Sequence, residues 1–78
     1  MRVRLFASLR ELAGSSEIDV EATDVSGLLG SLSERFGPRF DRIMLAGSVV
    51  VNGERAGADR RIGPTDQVAL LPPVSGGR

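Results

Sequence analysis

Residues 24–38 read DVSGLLGSLSERFGP, and this segment predicts an amphipathic helix because its apolar residues recur at helical spacing. The apolar face consists of Val25, Leu28, Leu29, Leu32 and Phe36. Thr23 and Asp24 both suit an N-cap, and Gly37-Pro38 ends a helix. We predict one main helix from Val25 to Phe36, in which Gly27 and Gly30 allow close approach to a sheet.

Two segments before this helix alternate apolar and polar residues, as half-buried strands do. In residues 2–7 the odd positions face the core, which leaves Phe6 on the outer face beside two arginines. Residues 17–21 alternate in the same way, and their outward carboxylates pair with those arginines across a hairpin. Residues 8–14 suit either one helical turn or a broad turn between the two strands.

Three further strands follow the helix. We predict a short helical turn at 39–45 and strands at 48–52, 54–58 and 67–71. Asn52-Gly53 is a strong signal for a tight hairpin turn, because both residues tolerate positive φ. Pro72-Pro73 ends the last strand, because proline donates no ladder hydrogen bond.

This order of elements predicts an α+β fold with a mixed sheet of about five strands around one main helix. The last strand lies parallel to the first, because a long crossover through the helix joins the two. That arrangement is the β-grasp, or ubiquitin-like, fold. We expect residues 1–73 to form the domain and residues 74–78 to form a flexible C-terminal tail.

The composition limits what the chain does. Its 78 residues include no cysteine and no histidine, so the usual bases, soft nucleophiles and zinc ligands are missing. We therefore expect neither an enzyme nor a metal site. Ten arginines balance ten acidic residues, which disfavours binding to nucleic acid. The arginine-charged start and the short apolar runs disfavour a signal peptide or membrane span, so we expect a cytoplasmic protein.

The chain contains no lysine. One interpretation is a compositional bias of the genome. The other is that the chain offers no lysine amine as an acceptor for its own activated tail.

The tail is the candidate reactive site. It contains Val74, Ser75, Gly76 and Gly77, followed by Arg78. Two glycines let the backbone enter a channel too narrow for other residues, and the five residues reach roughly 17 Å when extended. The alternative is an ordinary frayed terminus.

The whole chain resembles the MoaD/ThiS family of ubiquitin-like sulfur carriers, and within it the small subunit of molybdopterin synthase. The resemblance rests on Val3-Arg4-Leu5-Phe6-Ala7, on Leu9 to Gly14, on Val51-Asn52-Gly53 and above all on residues 66–77, DQVALLPPVSGG. The Pro-Pro-Val-Ser-Gly-Gly ending is typical of the molybdopterin branch.

The resemblance implies a mechanism and partners. An adenylyltransferase of the ubiquitin-activating type uses ATP to adenylate the carboxylate of Gly77, and a sulfur donor converts it to a thiocarboxylate. That group donates sulfur during molybdenum cofactor biosynthesis, inside the large subunit of a heterotetrameric synthase. The carrier itself binds no cofactor. With Val68 and Leu70 in the core, strand alternation predicts that Leu71 faces outward, next to Phe6 on the neighbouring strand. The resemblance implies partner docking through this apolar patch of Phe6 and Leu71, next to Pro72 and Pro73.

Arg78 departs from the family pattern, because members usually end at the second glycine. Three explanations compete: a precursor trimmed by a peptidase, a cloning remnant, or loss of the carrier role. Two other functions stay open. One is a sulfur carrier for another pathway, such as cysteine, thiamine or a secondary metabolite, and the other is a ubiquitin-like protein modifier. A plain binding module with an idle tail is the simplest alternative.

Overall fold

The computed structural model describes residues 1–73, which form one five-stranded mixed sheet covered by three helices. The strands are β1 (Arg2–Leu5), β2 (Glu17–Asp19), β3 (Ser48–Val51), β4 (Glu54–Arg55) and β5 (Val68–Leu71). The helices are α1 (Ala7–Ala13), α2 (Val25–Phe36) and α3 (Pro38–Ala46). The strand order is β2-β1-β5-β3-β4, which confirms the predicted β-grasp fold.

The centre of the sheet is the parallel pair of β1 and β5. Val3 lies opposite Val68, and Leu5 lies opposite Leu70. All other strand pairs are antiparallel. The predicted crossover is therefore confirmed, and it brings the end of the last strand next to the end of the first.

Helix α2 has the predicted bounds and covers the inner face of the sheet. Its buried residues are Val25, Leu28 and Leu32. The Asp24 carboxylate caps it by accepting a 2.7 Å hydrogen bond from the Gly27 N–H. The predicted role of Gly27 and Gly30 was wrong, because a Cβ at Gly30 would meet no atom within 4 Å and one at Gly27 would face its own cap.

Helix α3 is longer than the predicted turn at 39–45. It begins at Pro38, whose fixed φ suits the first position of a helix. Phe40 and Met44 are buried, and the Phe40 ring lies 4.7 Å from that of Phe36, centroid to centroid. The Gly37-Pro38 pair therefore ends one helix and begins the next.

Strand β4 is shorter than the predicted 54–58. Asn52 and Gly53 form the predicted turn with φ values of 53° and 84°. The N–H of Ala56 still donates a 2.8 Å hydrogen bond to the Val49 carbonyl oxygen of β3, and the chain leaves the sheet after it. The carbonyl oxygens of Ala58 and Arg60 then accept hydrogen bonds from the first N–H groups of α2. The first N–H groups of a helix have no hydrogen-bond partner within the helix. The segment after β4 therefore supplies acceptors for the first turn of α2 instead of extending the hairpin.

A polar network fixes the start of β5. The Asn52 side-chain oxygen accepts a 2.9 Å hydrogen bond from the Gln67 N–H, and its amide nitrogen donates to Asp66 at 2.9 Å. The other Asp66 oxygen accepts from the Gly63 N–H at 2.8 Å. The hydrogen bond from Gly63, and then that from Asn52, lowers the pKa of Asp66 below its ordinary value of 3.8.

This lowered pKa predicts an acid-sensitive contribution to stability. The contribution is complete above the ordinary pKa of 3.8 and is lost as the pH falls through the lower pKa of the folded state. Asp66→Asn should therefore be less stable than the wild type near neutral pH, and the difference should narrow below pH 3.8. Urea unfolding at several pH values measures this, with Asp59→Asn in the same loop as the control for lost charge. A difference that stays constant down to acid pH would contradict the prediction.

The core is aliphatic apart from one phenylalanine. Of the fifteen buried members within residues 1–73, thirteen come from the three helices and four of the strands, and Val20 and Ile62 lie in connecting segments. Residues 1–73 contain no buried polar side chain. None of the helices described is long and apolar enough to cross a membrane.

Candidate functional site

The candidate site begins where β5 ends. Leu71 is the last residue of the strand, Pro72 is half-buried and Pro73 is exposed. The predicted tail residues Val74, Ser75, Gly76 and Gly77 lie outside the described residues, as does Arg78. The predicted domain boundary after Pro73 and the predicted role of the tail therefore stay predictions.

The end of α3 holds this exit point at very close range. Gly47, which follows α3, leaves no room for a side chain: a Cβ there would collide with the Leu71 carbonyl oxygen and would lie 3.0 Å from the Pro72 Cα. Sequence reasoning missed this contact. Its only signal is a glycine between a helix and a strand, which resembles an ordinary helix end.

Phe6 and Leu71 both point outward, as predicted. They follow the paired residues Leu5 and Leu70 on neighbouring parallel strands, and they are 36% and 37% exposed. The exposed apolar surface therefore lies directly beside the exit of the tail. Its predicted role as a partner interface stays a prediction.

The backbone after Phe6 differs from the predicted strand at residues 2–7. Phe6 occupies the N-cap position of α1 without a side-chain cap, and Ala7 has a φ of 49°. That region is sparsely populated by residues with a Cβ. The chain thus turns sharply from β1 into α1, and the predicted strand through residue 7 ends at Leu5.

The charged residues of the outer face pair at the β2 edge. The Arg2 guanidinium lies 3.4 Å from a Glu17 oxygen and 3.7 Å from an Asp19 oxygen, and Arg4 lies 3.9 Å from Glu17. These pairs confirm the predicted cross-strand contacts. Because they are exposed, each stabilises the fold by at most about 1 kcal/mol.

A groove of about 450 Å³ opens between the helices and β3–β4, beside Gly47. It is mostly lined by small and aliphatic residues, and Arg55 is the one charged residue among residues 1–73 that lines it. Residues 1–73 hold no group of three side chains suited to bind a metal ion. The described part of the chain therefore offers an exit point for the tail beside an exposed apolar surface.

The chain is similar to known proteins over most of its length. The model of the ThiS family matches residues 3–77, so the match includes Gly77 and stops before Arg78. Among solved structures, small archaeal modifier protein 1 of Haloferax volcanii is 32% identical, with 97% of each chain covered and a TM-score of 0.73.

Two further structures are similar. Small archaeal modifier protein 1 of Methanosarcina acetivorans is 28% identical, with 97% of this chain and 94% of that chain covered and a TM-score of 0.84. A putative molybdopterin converting factor, subunit 1, of Pyrococcus furiosus is 26% identical, with 94% of this chain and 95% of that chain covered and a TM-score of 0.81.

Proposed function

Because the chain belongs to the ThiS family of ubiquitin-like sulfur carriers, we propose that it carries sulfur as a thiocarboxylate on Gly77. The observation that carries the proposal is the point at which the chain leaves the sheet after β5. Residues 74–77 follow an exit point held by Gly47 and bordered by the apolar side chains of Phe6 and Leu71. A fully extended segment of four residues would place the carboxyl carbon of Gly77 up to roughly 14 Å from Pro73.

The chemistry requires two partner steps. A carboxylate is a poor acyl donor and must first be activated. On the activating partner, the Gly77 carboxylate attacks the α-phosphate of ATP, which forms an acyl adenylate and releases pyrophosphate. A sulfur donor then displaces AMP and leaves a thiocarboxylate. The chain is thus a co-substrate of its partners rather than an enzyme, and we expect it to act in the cytoplasm, where ATP is available.

For the acceptor, we propose the precursor of molybdopterin, bound to the large subunit of molybdopterin synthase. The likeness to the molybdopterin converting factor subunit of Pyrococcus furiosus supports this choice. The Pro-Pro-Val-Ser-Gly-Gly sequence at residues 72–77 supports it further.

Arg78 decides when the carrier is active. In the sequence as it stands, the Gly77 carbonyl belongs to the peptide bond with Arg78 and cannot be adenylated. We therefore propose that a peptidase first cleaves this bond. The match of the family model, which ends at residue 77, supports this order of events.

The test compares three chains: the full sequence, a chain that ends at Gly77 and a chain that ends at Gly76. Each is incubated with an activating enzyme, ATP and a sulfur donor, and the intact mass is measured. We expect the exchange of one oxygen for sulfur only in the chain that ends at Gly77. An equal exchange in the full sequence would contradict the need for cleavage, and none in any chain would contradict the carrier function.

A second function is favoured by the likeness to the two small archaeal modifier proteins. In that case the activated Gly77 carbonyl forms an isopeptide bond with a lysine of another protein and releases AMP. Mass spectrometry of proteins from the native host distinguishes the two functions. Peptides with the tail attached to lysine would support the modifier, and a free thiocarboxylate would support the carrier.

A further inference from the structure

The cationic side chain of Arg55 lies near the tail exit, although its backbone lies further along the sheet. Arg55 pairs with Val50, but its guanidinium donates a 3.0 Å hydrogen bond from Nη2 to the Ser48 hydroxyl. Ser48 pairs directly with Leu71. The hydrogen bond therefore brings the charge back along β3 to the strand position that faces Leu71.

The charges of the outer face therefore differ between the two edges of the sheet. On the β2 side, Arg2 and Arg4 are paired with Glu17 and Asp19. On the β4 side, Arg55 forms no ion pair with any of residues 1–73, and its side chain is exposed. Between the two edges lie Phe6 and Leu71.

A guanidinium offers five N–H donors in a planar fork, and within residues 1–73 only one such donor of Arg55 forms a hydrogen bond. The remaining donors suit a carboxylate, which a guanidinium binds through two parallel hydrogen bonds. Because Ser48 already orients the side chain, a partner loses less side-chain freedom on binding it.

We propose that Arg55 is a recognition residue for the activating partner, which presents a carboxylate of aspartate or glutamate beside an apolar surface that covers Phe6 and Leu71. This inference rests on the proposed function, because it assumes that the tail is adenylated. It adds a charged contact to the apolar patch. A contact near the end of β5 would align the activating enzyme with the start of the tail.

The experiment uses the chain that ends at Gly77 and the adenylyltransferase encoded in the same genome, and it measures carrier-dependent exchange between ATP and pyrophosphate. For Arg55→Glu we expect the KM for the carrier to rise about tenfold with little change in kcat, as loss of a charged contact at an interface predicts. Ser48→Ala keeps the charge of Arg55 but removes the hydrogen bond that orients its guanidinium, so it should raise KM about twofold to threefold. The KM of the wild type should rise with salt more steeply than that of Arg55→Glu.

Arg39→Glu is the matched control. Arg39 is exposed in the first turn of α3, at the opposite end of this helix from Gly47, and an acidic residue there suits the helix dipole. Its KM should equal that of the wild type. Urea unfolding midpoints of all variants should agree, which shows that the changes in KM reflect binding.

An unchanged KM for Arg55→Glu, with a wild-type chain that supports exchange, would overturn the inference and leave the proposed function intact. Normal activation combined with impaired sulfur transfer to the synthase large subunit would overturn the choice of partner. A wild-type chain that supports no exchange would overturn the proposed function, and this inference with it.

Discussion

Gly47→Ala is expected to lower the free energy of unfolding by about 2–3 kcal/mol, near the upper end of what overpacking costs. The added methyl group would collide with the carbonyl oxygen of Leu71. Because the colliding atom belongs to the backbone, no change of rotamer removes the overlap. Either α3 or the end of β5 must move, and the exit point of the tail moves with it.

The same substitution should also impair activation. In the chain that ends at Gly77, Gly47→Ala should lower the rate of adenylation, because the tail would leave the domain at an altered position. Urea unfolding measures the loss of stability, and exchange between ATP and pyrophosphate measures activation at a temperature where the variant is folded.

Gly30→Ala is the control for replacing a glycine. Gly30 lies within α2, and a Cβ there would meet nothing within 4 Å. Alanine is favoured over glycine inside a helix, so this variant should be more stable than the wild type by up to about 1 kcal/mol. The prediction for Gly47 fails if both variants change stability in the same direction.

Phe40→Ala is expected to have the largest effect on stability, a loss of about 3–5 kcal/mol. Phe40 is 1% exposed, is the largest fully buried side chain described and lies against the ring of Phe36. Its removal leaves a cavity between α3 and the rest of the core. A domain of this size has a stability of only about 4–12 kcal/mol, so the variant should be close to unfolding.

The matched control is Leu45→Ala in the same helix. Leu45 is 60% exposed, so its truncation should change stability by less than about 0.5 kcal/mol. Urea unfolding followed by circular dichroism measures both variants. Either a much lower midpoint or the loss of the cooperative transition is expected for Phe40→Ala, whereas a change below 1 kcal/mol would contradict the role given to this residue.

Much of the fold was predictable because its signals are local. The bounds of α2 follow from the spacing of its apolar residues, from the Asp24 cap and from the Gly37-Pro38 end. The turn at Asn52-Gly53 follows from the tolerance of both residues for positive φ. The predicted boundaries failed where a distant segment competes for the backbone, as in β4, whose continuation binds the first turn of α2 instead.

The features of the candidate site were likewise predictable only in part. The outward directions of Phe6 and Leu71 were predictable from strand alternation, because neighbouring side chains of a strand point to opposite faces. The Gly-Gly tail was found in the sequence itself. The close contact of Gly47 with Leu71 and the hydrogen bond from Arg55 to Ser48 were not found, since neither leaves a pattern in the residues around it.

Local residue patterns were enough to predict helix α2, the turn at Asn52-Gly53, the alternation of the strands and the glycine pair at residues 76–77 as the candidate reactive site. Each depends on properties of neighbouring residues, such as side-chain period, ring constraint and the absence of a Cβ. The point at which the chain leaves β5, and the charge that lies near that point, became visible only in the folded structure. Those positions depend on how segments distant in the chain pack together, because the end of α3 fixes the end of β5 and the hydroxyl of β3 orients the cation of β4.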